Sequence, residues 1–207
     1  MNRKHLLWAS CVAAVLSLPS FADVIFDNAD PPLTVTNRDS SIEGVAAYLQ
    51  IGASDVPINQ ISINVQPMQN GQLKFVIFSD IAPPGSDAGK LLFSDTVNVS
   101  ASTSLSYILS DPFSFTLHAG QYYDIGAIFS GTDVSYTYDL VSDSENGITS
   151  IVSNENVDNF ASPVLVGHGL SDINIRLYSP TTVAPEPLNL GLAALGLSGL
   201  LLVRRSR

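Results

Sequence analysis

Acids dominate the residues able to do chemistry. Asp23, Asp27, Asn28 and Asp30 gather near the start of the chain, and Asp139, Asp143, Glu145 and Asn146 gather in a later loop. Hard oxygen ligands suit calcium, which makes Asp139, Asp143 and Glu145 candidate metal ligands. Neither group keeps the spacing of a known calcium loop. Asn and Asp are also ordinary turn formers, so a solvated acidic exterior is the competing expectation. Two acids meeting in a deep cleft about 5 to 9 Å apart would instead be the pair that glycoside hydrolysis needs.

Other catalytic groups are sparse. No His-rich metal spacing surrounds His118 or His168. Gly167-His168-Gly169-Leu170-Ser171 has a superficial likeness to a nucleophile elbow, but its serine does not stand between two glycines at the required spacing, so His168 is expected in a loop. No catalytic residue and no cofactor beyond calcium is expected. Tyr107, Tyr122, Tyr123, Tyr136, Tyr138 and Tyr178 could stack on sugars if several shared an exposed face, although tyrosines also pack ordinarily in sheets.

The elements that must position these groups read as strands. Ile61–Val65, Phe113–Leu117, Val134–Tyr138 and Ile173–Leu177 alternate apolar with polar residues, which sets one face on a core and the other in water. Val45–Ile51, Leu73–Phe78, Leu91–Val99, Tyr122–Phe129 and Ile148–Val152 are further strand candidates. Turn chemistry separates them at Gln69-Asn70-Gly71, Ala82-Pro83-Pro84-Gly85, His118-Ala119-Gly120 and Glu145-Asn146-Gly147. No apolar stripe of helical period crosses this region. The expected fold is all-β, an antiparallel β-sandwich of jelly-roll type over residues 23–180. Only Glu186 of the 19 acids lies outside that region, whereas only Arg38, Lys74, Lys90 and Arg176 of the nine Lys and Arg lie inside it, so its net charge is −14. Such a surface repels nucleic acid and anionic membranes.

Both ends of the chain carry transport patterns. Arg3, Lys4 and His5 precede an apolar run from Leu6 to Leu18, and Ser20-Phe21-Ala22 supplies the small residues a signal peptidase reads. Residues 1–22 are thus an expected N-terminal signal helix, cut between Ala22 and Asp23. The single cysteine, Cys11, would leave with it, and the residue after the cut is Asp23 rather than a lipid-accepting cysteine. Residues 181–207 hold Pro185-Glu186-Pro187, an apolar helix from Leu188 to Val203, and then Arg204, Arg205 and Arg207. Sixteen helical residues span about 24 Å, short of the roughly 30 Å hydrocarbon layer, and the terminal arginines hold the chain end on the cytoplasmic face.

The Pro-Glu-Pro triplet, short Gly- and Leu-rich helix and arginine cluster together resemble the PEP-CTERM sorting signal of Gram-negative bacteria. The resemblance implies recognition by an exosortase, a membrane cysteine transpeptidase, with Pro185, Glu186 and Pro187 as the recognition site and Arg204, Arg205 and Arg207 as the cytoplasmic stop. Val45 to Phe129, with Phe78-Ser79-Asp80 and Phe115 to Tyr123, also resembles the β-sandwich bodies of other proteins carrying this tail. The implied product is an exported, noncatalytic protein of the cell surface or biofilm matrix. Its implied partners are signal peptidase and exosortase during export, the inner membrane transiently through the C-terminal helix, and extracellular polysaccharide. A secreted polysaccharide hydrolase is the alternative.

Overall fold

In a computed structural model of the protein, residues 22–29, 34–38, 44–80, 89–169 and 172–180 are described. The sorting triplet, the arginine cluster and nearly all of the signal peptide lie outside the described residues.

The chain runs through β1 (Asp23–Asp27), β2 (Thr34–Arg38), β3 (Gly44–Ile51), β4 (Val56–Ile58), β5 (Gln60–Pro67), β6 (Gly71–Asp80), β7 (Lys90–Val99) and β8 (Ser106–Leu109). It continues through β9 (Phe115–Leu117), β10 (Tyr122–Ser130), β11 (Val134–Asp139), β12 (Ser144–Glu145), β13 (Ile148–Asp158), β14 (Val164–Gly169), β15 (Asp172–Ile173) and β16 (Ile175–Ser179). The described residues hold no helix, and their strands pair antiparallel.

One sheet has the order β1-β16-β5-β11-β15, with β2 also on β11 and β8 also on β5. We call it the first sheet. The second has the order β12-β13-β3-β10-β6-β7, with β14 on β13, and β4 pairs with β9 separately. A shared core joins the two sheets into a sandwich-like body: Phe26, Ile61, Ile63 and Leu177 come from the first, and Leu49, Phe75, Ile77 and Ile125 from the second.

The two sheets differ in how their sequences alternate. In β5, Ile61, Ile63 and Val65 enter the core while Asn64 and Gln66 stay partly exposed on the opposite face. In β6, Leu73, Phe75 and Ile77 enter the same core, but Val76 and Phe78 on the opposite face are buried as well. Val76 and Phe78 join Ala46, Ile128, Val157 and Leu165 in a second apolar cluster, which the turn between β13 and β14 helps to cover. Lys74 closes that cover, with its ammonium hydrogen-bonded to the carbonyl of Phe160 and lying 4.4 Å from the centre of its ring. Gly126 lets β10 pass close to β3 on this face, since a Cβ there would lie 2.1 Å from the carbonyl oxygen of Val45.

Two expectations need correction. Ile173–Leu177 is not one strand, because β15 pairs with β11, the chain steps across at Asn174, and β16 pairs with β5. The amide of Asn174 donates to the carbonyl of Asn28 at 3.0 Å. In return Asn28 donates to the carbonyl of Ile173 at 2.9 Å and accepts from the N–H of Ile175 at 2.8 Å. Both asparagines are fully buried, so this exchange satisfies backbone groups that the break would otherwise strand. His168, expected in a loop, lies within β14 opposite Glu155 of β13.

Candidate functional site

On the first sheet, four neighbouring strands bring aromatic and polar side chains to the face away from the core. Register places Asp27 of β1 beside Arg176 of β16, Arg176 beside Ser62 of β5, and Asn64 of β5 beside Tyr107 of β8. Period-two alternation puts all of them on one side. The Arg176 Nε donates to Asp27 Oδ2 at 2.7 Å, and its guanidinium carbon lies 3.7 Å from the centre of the Tyr107 ring. The Tyr107 hydroxyl donates to Asp27 Oδ1 at 3.4 Å, which closes a three-residue clamp. Tyr178 extends the array through its hydroxyl, 3.2 Å from Ser62 Oγ.

Solvent reaches this array. The side chains of Arg176 and Asp27 are 33% and 29% exposed, and Val24 and Leu109 on the flanking strands are 46% and 44% exposed. Partial burial, followed by the nearby charge of Asp27, pushes the Tyr107 hydroxyl up to about 12, against the opposing pull of Arg176. It therefore stays a neutral donor and acceptor at ordinary pH. The accessible part of this face covers β1, β16, β5 and β8, because Ser135 and Thr137 of β11 are 3% exposed. The arrangement offers a flat aromatic and guanidinium surface bordered by hydroxyls and amides, with no nucleophile set against a base.

The two acidic groups meet, but through hydrogen bonds. Glu145 accepts from the N–H of Asp27 at 3.3 Å, and Asn146 donates to the carbonyl of Ile25 at 2.7 Å, which ties the β12–β13 hairpin to β1. Asp27 faces Arg176, and Asn28 is locked to Asn174, so neither is presented to a cation. Asp143 lies just before β12, where its N–H donates to Ser150 Oγ at 3.0 Å; Asp139 ends β11. Among the described residues no group of three or more His, Cys, Asp or Glu is arranged to hold a metal ion. Asp30 lies outside the described residues.

Asp23 opens β1 and pairs with Ser179 of β16, so the expected cut after Ala22 would leave β1 whole. The first and last strands also bring both ends of the body to one corner of the sheet.

Of the remaining tyrosines, Tyr123 and Tyr136 are core residues and Tyr138 packs against the core. Tyr122 stacks on Tyr48 of the second sheet, with ring centres 5.5 Å apart. Asp124 and Asp80 share that outer face, but Asp124 has no exposed surface and Asp80 is 8% exposed. His118 follows β9, with Nδ1 at 3.3 Å from Asp55 Oδ2 on an exposed edge.

Sequence reasoning singled out Tyr107 and Tyr178 but not their partners Arg176 and Ser62. A signal was present: Ser62 and Arg176 occupy the polar positions of two alternating strands, which places them on the face away from the core together with any residue of like phase. No protein-family model matches the chain, and no curated protein matches it.

Proposed function

We propose that this is an exported, noncatalytic surface or matrix protein, processed through the exosortase route, whose sandwich binds extracellular polysaccharide. The observation that carries the binding reading is the open array of Tyr107, Arg176 and Tyr178 on one sheet face. Sugar rings present C–H groups on their flat sides, and the electron-rich faces of aromatic rings attract them. Hydroxyl and amide groups around the array supply the directional contacts. The export reading is supported by the two terminal patterns, and a body whose two ends leave from one corner is compatible with removal of both.

The jelly-roll form is part of the proposal. It is supported by the neighbour orders β1-β16-β5-β8 and β3-β10-β6-β7, which reproduce two interleaved Greek keys, with β11 and β13 as additions. We place cleavage near Pro185-Glu186-Pro187 and the product at the cell surface or in the medium.

The test is retention of the protein released by its native host on that host's polymer, followed by intact-mass analysis of what is retained. The proposal expects a species from Asp23 to about Pro187, with retention weakened in Tyr107→Ala. A retained species that keeps Arg207 would overturn the processing, and retention unchanged in Tyr107→Ala would overturn the site.

A further inference from the structure

Resting on the polysaccharide reading, we infer that the array on the first sheet takes uncharged glycan and discriminates against uronate-rich or otherwise anionic polymer. The reason lies in how its charges are arranged. Arg176 is the cation of the array, and its nearest fixed charge is Asp27, in contact at 2.7 Å. A carboxylate arriving from a ligand would meet a guanidinium whose charge is already offset by Asp27, which is itself held on its other oxygen by Tyr107. The pair therefore presents nearly no net charge, and the guanidinium acts as a planar stacking surface supported on the Tyr107 ring.

The surroundings act in the same direction. Lys74 and Lys90 belong to β6 and β7 of the other sheet, and Arg38 ends β2, across β11 from the strands of the array. The body as a whole carries −14, so a polyanion approaching it meets repulsion that salt relieves only gradually. A neutral chain meets none. What remains on the face is suited to neutral sugar: the hydroxyls of Tyr107 and Tyr178, the latter seated on buried Ser62, the Asn64 amide, and the flanking apolar surfaces of Val24 and Leu109.

The experiment is affinity electrophoresis of the full chain through gels containing either hydroxyethyl cellulose or polygalacturonate, at about 0.01 M and about 1 M salt. The expected result is retardation by hydroxyethyl cellulose that changes less than about twofold with salt, and none by polygalacturonate at low salt. Tyr107→Ala should weaken the neutral interaction about tenfold, whereas Tyr107→Phe, which keeps the ring, should retain it and so separates lost stacking from lost folding. Retardation by polygalacturonate that is strongest at low salt would overturn the inference and leave polysaccharide binding standing. Retardation by neither polymer would overturn both.

Discussion

The two outer faces of the sandwich receive the same backbone geometry and opposite treatment. Over β3, β10 and β6, the outer side chains are Ala46, Ile128, Val76 and Phe78, and the β13–β14 segment lies against them with Leu165 and Phe160. Over β16, β5 and β8, the outer side chains are Arg176, Tyr178, Ser62, Asn64 and Tyr107, and all but Ser62 are partly exposed to water. An apolar outer face must be covered by the chain itself, since burial stabilises by about 25 cal/mol per Å² of apolar surface. A polar and aromatic outer face can remain uncovered without that loss. One face thus contributes to stability, and the other is the face to which the proposal assigns contact.

Substitutions should separate these roles. The largest stability effect is expected for Phe78→Ala, which empties a buried site in the covered cluster and should cost about 3–5 kcal/mol by denaturant titration, leaving glycan retention intact wherever the variant is folded. Gly126→Ala forces a Cβ against the backbone of β3 and should cost about 1–3 kcal/mol in the same assay. Asn28→Ala removes the buried exchange with Asn174 and should also cost about 1–3 kcal/mol, showing that the seam between β15 and β16 is structural. On the open face, Tyr107→Ala should cost only about 1 kcal/mol while weakening retention about tenfold.

Two smaller effects concern pH. Because folding raises the Tyr107 hydroxyl from 10.0 to about 12, its contribution to stability is complete below about pH 10 and is lost as pH rises through about 12. Absorbance titration should show a late-ionising tyrosine component that Tyr107→Phe removes. Asp55 behaves oppositely. The N–H of Ala119 and then the His118 ring lower its carboxyl below 3.8, so its contribution is present above that value and lost as pH falls through the folded one. Asp55→Asn should flatten the acid side of the stability profile slightly.

Much of this division was legible in the sequence. The segments that alternate strictly around Ile61, Val134 and Ile173 fall in the first sheet, whereas the near-continuous apolar runs at Val45, Leu73 and Tyr122 fall in the second. The pattern is not a full guide to cover: Ser135 and Thr137 of alternating β11 are buried as well, and the fourth alternating segment, Phe113–Leu117, yields β9 on the separate pairing with β4. Glu145-Asn146-Gly147 also announced its turn, with Asn146 and Gly147 both at positive φ as a tight hairpin requires. The clamp was less visible, because Asp27, Tyr107 and Arg176 lie far apart in sequence and meet only through the order β1-β16-β5-β8. Short strands such as β1, β8 and β14 escaped for a related reason: their positions depend on long-range pairing more than on a local pattern. Composition offered the acidic groups either as calcium ligands or as a solvated exterior, and the partners that engage Asp27 and Asn28 come from β16 and its approach.

The central claim is that contact occurs on the uncovered face and nowhere on the covered one. Hydrogen exchange of the full chain, with and without saturating hydroxyethyl cellulose, tests it most directly. The account predicts added protection in segments 60–66, 105–109 and 174–179, with none in 73–79 or 153–166. Protection confined to the latter segments would contradict it.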